Sequence, residues 1–484
     1  MCERALSRYA VSCDGGGMPV LQAGTQPLGD LAEFLAPFAG LVRRSESRHA
    51  LERYTTGLVA DTADNTAAAV GRVVPTTTGQ QLQELLTRTA WDVGAMDRLR
   101  IGTMVERASV GDGVVIIDDT GFAKKGTHSV GVARQYSGTL GRVDHCQVLV
   151  SAHYVDRVFD WPITAQLYLP EEWSTDAARR AVAQVPATVG GQTTGAIALA
   201  LLDVARAAGV PATTVVSDAG DGAQPTFLDG LETRGLAYIV AVPSTTHCRR
   251  AADVAADPGD GPVPYHGPGR PRTGPTLAAR VPGTEAAALL AAVAPQAWKT
   301  VAWRTGTKGA LVKQCARVRV YRTAHRGQPH ASHGWLLGER PLPGHTGDAK
   351  YDYAWDLDGR TLGDLLERMH VRWVVERFYQ DAKGELGLDA YEGRRWPGLH
   401  RHVALVMLAH SYLTLRQSYE GDLLHPPASA ASPSRRRSPA PARGFPPAGR
   451  RSVTALRRAV LDERFAHVLD GLIRARAPTT YLTK

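Results

Sequence analysis

The sequence has no long apolar run, few cysteines and very little lysine, and each shortage closes off a class of protein. Its longest apolar stretches, near 196–204 and 403–409, fall well short of the roughly 18 residues that span a bilayer, so no membrane helix is expected. The first residues, MCERALSRYAVSCDGGG, lack the basic-then-apolar pattern of a secretory signal, and a cytoplasmic location is expected. Five cysteines (Cys2, Cys13, Cys146, Cys248, Cys315) are scattered, odd in number and without a CxxC pair, which argues against a disulfide framework or a zinc knuckle. His325, His330 and His333 lie close together in sequence, but no cysteine or acid completes a zinc set, and they read as loop histidines. The Gly-rich stretch 190–195 lacks the Lys-Ser/Thr of a phosphate-binding loop. Lysine supplies only 8 of the 56 basic residues, a bias attributed to a GC-rich genome rather than to a mechanism.

What is present is an ordinary globular composition. The 484 residues correspond to roughly three folding units, and 44% hydrophobic against 21% charged residues allows a large core. The balance is basic, 56 Lys+Arg against 47 Asp+Glu with a pI near 9.4, which points to a polyanionic partner, usually nucleic acid. That excess is local. Residues 431–484 hold 12 Lys+Arg and 3 Asp+Glu, so residues 1–430 carry 44 of each. The Arg-rich end would attract DNA without sequence preference and with a steep salt dependence.

Residues 1–30 are Gly-rich and expected to be loose. Over 31–108 the pattern is helical: Leu82, Leu85 and Leu86 repeat at i, i+3, i+4, with Pro75 and Gly79 as punctuation. The pattern then changes. GVVIIDDT (113–120) is a short apolar run ending in acids, hence a buried strand. Strands are also expected over 129–136 and 146–155, with Gly138 and Gly141 in the turn between them. A helix over 197–208, a strand over 214–217 ending at Asp218, a helix over 225–234 and a strand over 237–242 follow. Three strands and then alternating helix and strand indicate an α/β fold whose sheet has an antiparallel edge. Residues 246–285 are irregular in composition, and strands are expected over 298–303, 311–321 and 335–337. Helices return over 362–388 and 399–417. Residues 426–451 are low-complexity, rich in Pro and Arg, and expected to be disordered, with a closing helix over 453–475. The expected division is a helical domain at 31–108, an α/β core at 109–245 and 356–420, a β-rich insertion at 246–355, a linker at 421–452 and a C-terminal helix at 453–484.

Two core strands end in acids, Asp118/Asp119 and Asp218. In open α/β sheets, functional groups gather at the carboxyl ends of strands, and paired carboxylates suit a hard divalent cation such as Mg2+. A third carboxylate lies on the 362–388 helix. Arg372, Glu376, Tyr379 and Lys383 are spaced i, i+4, i+7, i+11 and share one face, beside an apolar stripe of Val371, Val374, Phe378, Ala382 and Leu386. Two Asp from strands and one Glu from a helix form a set that suits two-metal phosphoryl transfer, with Arg and Lys alongside to hold phosphates. Trp373 reads as core.

These residues carry a family resemblance. IDDTGFAKKGTHSVGVARQYSGTLGRVDHCQVLVSAHYVDRVFDWPI (117–163), VVSDAGDG (215–222) and RWVVERFYQDAKGELGLDAYEGRRWPGLHRHVALVMLAHSYL (372–413) resemble, in order, the first-Asp, second-Asp and Glu blocks of DDE insertion-sequence transposases of the IS701 group, within the IS4-like superfamily. WRTGTKGAL (303–311) also recurs in that group, and the likeness runs from about residue 40 to 417. The resemblance implies a ribonuclease-H-like mixed sheet flanked by helices, a β-rich insertion and a helical N-terminal DNA-binding domain. It implies a triad of Asp119, Asp218 and Glu376, with Asp119 chosen because the motif acid directly precedes Thr120. Two Mg2+ ions (Mn2+ as substitute) would be held there. Arg372, Lys383, Lys124 and Lys125 would contact DNA. The partners would be terminal inverted repeats, target DNA and further copies of the chain, as a homodimer or larger multimer near the nucleoid, with no membrane. Three positions depart from the group: Met369 for a Tyr in the Tyr-x2-Arg-x3-Glu-x6-Lys signature, Asp221 for the Tyr of Ala-Gly-Tyr-Gly, and Ala63-Asp64 for a basic pair before Asn65. The alternative reading is a transposase-derived, catalytically impaired DNA-binding protein.

Overall fold

The computed structural model describes residues 11–12, 20–21, 29–60, 64–74, 76–138, 141–255, 281–306, 309–323 and 329–424. The C-terminal helix expected at 453–484, nearly all of the linker, most of the loose segment 1–30, and His325 lie outside the described residues.

Helices α1 (Gly29–Leu35), α2 (Ser45–Val59), α3 (Ala67–Val73), α4 (Gly79–Thr87) and α5 (Val93–Arg107) come first. The starts of the last three follow from capping side chains. Thr66 and Asp92 accept from backbone N–H groups of the first turns of α3 and α5, and Thr78 with Gln81 forms a reciprocal capping box on α4. Leu82, Leu85 and Leu86 are the buried face of α4.

A twelve-stranded sheet follows. Its strands are β1 (Gly113–Ala123), β2 (Ala133–Ser137), β3 (Arg142–Val155), β4 (Asp160–Leu167), β5 (Ala212–Ser217), β6 (Tyr238–Ala241), β7 (His247–Arg250), β8 (Thr284–Glu285), β9 (Lys299–Gly306), β10 (Gly309–Thr323), β11 (Pro329–Arg340) and β12 (Lys350–Trp355). The central order is β4-β3-β1-β5-β6. β1, β3 and β4 are antiparallel, whereas β5 is parallel to both β1 and β6. Helices α6 (Thr194–Ala207) and α7 (Pro225–Thr233) flank it. This is a mixed α/β architecture, consistent with the ribonuclease-H-like arrangement that the resemblance implies.

Three differences from the sequence-based expectation bear on the site, besides the strands β7, β8 and β12, which were not expected. Strand β4 was not foreseen, because Pro162 argues against a central strand. The sheet accommodates it at a register shift where Pro162 faces His153. The strand expected at 129–136 begins only at Ala133 and lies end to end with β4 along the outer edge of β3. Finally, the single helix expected over 362–388 is two, α8 (Leu362–His370) and α9 (Trp373–Leu386). No Pro or Gly marks the break. At the end of α8, His370 hydrogen-bonds Glu339 of β11 (2.5 Å) and stacks on Trp303 of β9 (ring centroids 3.8 Å apart), so tertiary contacts redirect the chain.

The strands of 246–355 continue the central sheet: β12 pairs antiparallel with β6 on one side and β11 on the other. The long helix α10 (Trp396–Leu424) lies between β4 and the helices α2, α4 and α5. Arg100 of α5, fully buried, donates to Pro162 O (2.6 Å), to Ile163 O and to Ser411 of α10 (3.3 Å), and pairs with Asp97 (3.0 Å). One buried apolar cluster runs from Leu31 to Leu415. Among the described residues no helix is long and apolar enough to cross a membrane.

Candidate active site

The site begins with the parallel pairing of β1 and β5. Val114 faces Thr214, Val115 faces Val215 and Ile116 faces Val216, so continuing the register brings Asp118 level with Asp218. Ile116 and Val216 are almost wholly buried, which holds the two strand ends rigidly side by side. At Ser217 β5 ends, and Asp218 caps the short turn Ala219–Gly222. Its Oδ1 accepts from Gly220 N (2.9 Å) and Asp221 N (3.2 Å), leaving Oδ2 to face Arg372. The turn rests directly on β6: a Cβ on Gly222 would stand 2.0 Å from Ala241 O, so only glycine fits.

Helix α9 supplies the third carboxylate. Because the chain breaks before Trp373, Arg372 stands at the N-cap and Glu376 in the first turn, where the positive end of the helix dipole favours a carboxylate. Tyr379 fixes the helix by a hydrogen bond between its hydroxyl and Ser151 Oγ (2.7 Å). The Arg372 guanidinium lies 3.3 Å from Glu376, 3.7 Å from Asp218 and 3.8 Å from Asp118. Thus β1, the end of β5 and α9 each bring an acid to one arginine.

Asp118 and Asp119 alternate along a regular stretch of β1 and point to opposite faces of the sheet. The carboxylate that Arg372 touches is Asp118; Asp119 is the more exposed of the pair and feels the charges of Asp218 and Arg372. Burial pushes Asp118 up to about 7; Arg372 opposes the shift and Asp218 adds to it. Asp119 is raised by burial and by Asp218. Asp221 is pushed up to about 7 by burial, then by the charges of Asp218, Asp119 and Asp118. Five acids thus gather with one arginine among them, an excess of negative charge that suits hard cations. Among the described residues no three acidic, His or Cys side chains stand close enough to ligate one ion as they are. The Arg372 guanidinium stands between three of the acids. The residues fit a divalent metal by the chemistry of their oxygen donors.

Two of the three lysines expected at DNA are otherwise engaged. Lys383 donates to Gly121 O (2.9 Å), and Lys124 donates to Tyr391 O (2.8 Å) and Asp389 O (3.4 Å); burial lowers both. The reason is local: Lys383 ties α9 to β1 through the Gly121 carbonyl, and Lys124, just past the end of β1, reaches two carbonyls of the segment that follows α9. Lys125 is exposed. Met369 is buried. Beside Asp218 and Glu376 opens a cavity of 850 Å³ that includes Trp303, His370, Glu339 and Asp352. Arg304 sits over the Trp373 ring (3.9 Å). Of these, Trp303 and Arg304 fell in one block noted in the sequence and Trp373 in another, and no spacing rule links Trp303 to His370. Asp64 is exposed, whereas Asn65 is buried and donates to Glu385 O of α9 (2.8 Å).

The family model of the DDE superfamily endonucleases matches residues 37–310, more than half of the chain. The chain belongs to the DDE superfamily endonucleases. The match takes in Asp119 and Asp218 and ends before Glu376. DDE endonucleases generally work with divalent metals, in keeping with the excess of carboxylates. This DDE chain is also similar to a protein described as a probable transposase for insertion sequence element IS701, from Microchaete diplosiphon. The two are 26% identical over 213 residues, which is 44% of this chain and 53% of that protein. The matched part therefore spans about half the length of that relative.

Proposed function

We propose that the chain is a DNA transposase, cutting at the ends of a mobile element and joining those ends to target DNA. One observation carries this reading: in a DDE superfamily member, Arg372 gathers carboxylates from β1, the end of β5 and α9. Asp119, Asp218 and Glu376 are assigned as metal ligands, with Asp118 as the partner that orients Arg372. Bound there, two Mg2+ ions (or Mn2+) would activate the attacking oxygen and stabilise the leaving one. Arg372, once its carboxylates are neutralised, turns to a phosphate oxygen, and Lys125 meets the DNA backbone. Lys124 and Lys383 act from behind, holding the end of β1 under the DNA. Water first cleaves the strand and frees a 3′-hydroxyl, which then displaces a target phosphodiester oxygen in line, so no covalent protein–DNA bond is needed. The region 31–108 is assigned to terminal inverted repeats, 109–245 with 356–420 to catalysis, and a dimer or larger multimer to pairing of two ends near the nucleoid.

A second reading is a catalytically impaired DNA-binding protein of transposase descent. Asp221 favours it, because its charge stands close to those of Asp218, Asp119 and Asp118, where an extra acid repels phosphate. Cleavage of duplex carrying the DNA that flanks the gene, with and without Mg2+, separates the two. Specific binding without cutting would leave the second reading. Joining of a pre-cut end to target DNA excludes a nuclease that only cleaves. Asp119→Asn, Asp218→Asn and Glu376→Gln should each abolish cleavage with binding retained, while Asp118→Asn keeps measurable activity. The reverse result for the Asp118 and Asp119 variants would move the first ligand to Asp118.

A further inference from the structure

Past Lys124, whose backbone N–H donates to His145 O (3.0 Å), β1 stops and β3 continues with β2 as its remaining partner. The result is a two-stranded ribbon in which Arg134 faces His145, Gln135 faces Asp144, Tyr136 faces Val143 and Ser137 faces Arg142. It stands clear of the core. Arg134, Arg142 and His145 are exposed, and Tyr136 and Val143 expose 65% and 52% of their surface although they are cross-strand neighbours. Alternation puts Arg134, Tyr136, Val143 and His145 on one face of the ribbon. It is the face of β3 on which Ser151 meets Tyr379 of α9. Asp144 and Arg142 lie on the other, paired at 2.8 Å. The face shared with α9 therefore carries an arginine, a histidine and an apolar pair, with no acid.

Distance adds to this. Ser151 is opposite Asp118, and Val143 lies eight residues further along β3. At ~3.3 Å per residue that is at most ~26 Å, the length of about 8 base pairs at ~3.4 Å each. A two-stranded ribbon is one of the elements that the major groove of B-DNA admits.

We propose that the β2–β3 ribbon lies in the major groove of the duplex being cut, about 8 base pairs from the scissile phosphate. Tyr136 and Val143 meet base edges, Arg134 donates to one, and Lys125 reaches a flanking phosphate. The inference rests on the DNA-cutting function proposed above. The rival occupant of the unpaired outer edge of β2 is the same strand of a second copy. Charge favours DNA, since with Arg142 and Asp144 paired to one another the exposed Lys125 and Arg134 leave the ribbon with a positive excess.

The test uses the full chain and two duplexes of equal length, one carrying the DNA that flanks the gene and one unrelated. The double variant Tyr136→Ala/Val143→Ala should unfold at the wild-type temperature, since both side chains are exposed. It should bind the flanking duplex about tenfold more weakly, as loss of base-edge contacts implies, and the unrelated duplex almost unchanged. With p-benzoylphenylalanine in place of Val143, photo-cross-links should fall roughly 6–10 base pairs from the cut, given the strand length above. Unchanged binding while the wild type still cuts overturns the ribbon assignment alone. So does an equal loss on both duplexes, or a cross-link to a second protein chain. A wild type that neither binds nor cuts the flanking duplex overturns the proposed function and the ribbon with it.

Discussion

At the scale of single residues, the carboxylates pull against the fold that holds them. Asp118 and Asp221 titrate near 7 in the folded chain, far above an ordinary carboxyl group. Between pH ~4 and ~7 the native state therefore binds more protons than the unfolded state, so stability falls as pH rises through that window. Asp221→Asn removes one of these groups. It should raise the melting temperature at pH 8 and leave it nearly unchanged at pH 4, and added Mg2+ should shrink the gain. A gain of equal size at both pH values, read by thermal unfolding, would count against the electrostatic account. The lysines divide in the same way between structure and partner. Lys383→Ala should cost about 1 kcal/mol through the lost bond to the Gly121 carbonyl. Lys125→Ala should leave the melting temperature alone and lower the salt slope of DNA binding by about 1.

At the scale of elements, the position of Asp218 depends on a contact between backbones. Gly222 allows the turn Ala219–Gly222 to sit against the Ala241 carbonyl. Gly222→Ala must push the turn away, which should cost about 1–3 kcal/mol in chemical denaturation and reduce cleavage more than DNA binding. Sequence alone made several elements legible. The buried runs 113–117 and 214–217 are apolar and end in acids, so β1, β5 and their carboxylates could be placed. Strand β4 could not, because Pro162 hides it and a register shift in its neighbour rescues it. The break before Arg372 was also hidden, since it comes from His370 gripping Glu339 and Trp303, residues far away in sequence. Alternation on β1 is the subtler case. Sequence blocks favoured Asp119, but the side on which Arg372 lies depends on how α9 packs, and that packing puts Asp118 in contact.

At the scale of the whole molecule, the helices that open the chain share one core with the sheet, with α10 between them. Arg100 is the polar tie, joining α5 to β4 and α10 while wholly buried. Arg100→Met should cost about 3–5 kcal/mol, because Asp97 and two carbonyls lose their donor inside the protein. Chemical denaturation should still show one transition, with a lower midpoint. Two transitions would mean that the opening helices fold apart from the sheet.

The continuous sheet has a mechanical meaning. Strands β11 and β12, which carry Glu339 and Asp352 beside the carboxylates, are hydrogen-bonded edge to edge with β6 and, through it, with β5 and β1. A wall built that way cannot swing on a hinge without tearing a ladder of backbone hydrogen bonds. That wall of the cleft is fixed, and on the function proposed above a duplex entering it would have to bend, open or slide along it to bring a phosphate to the acids.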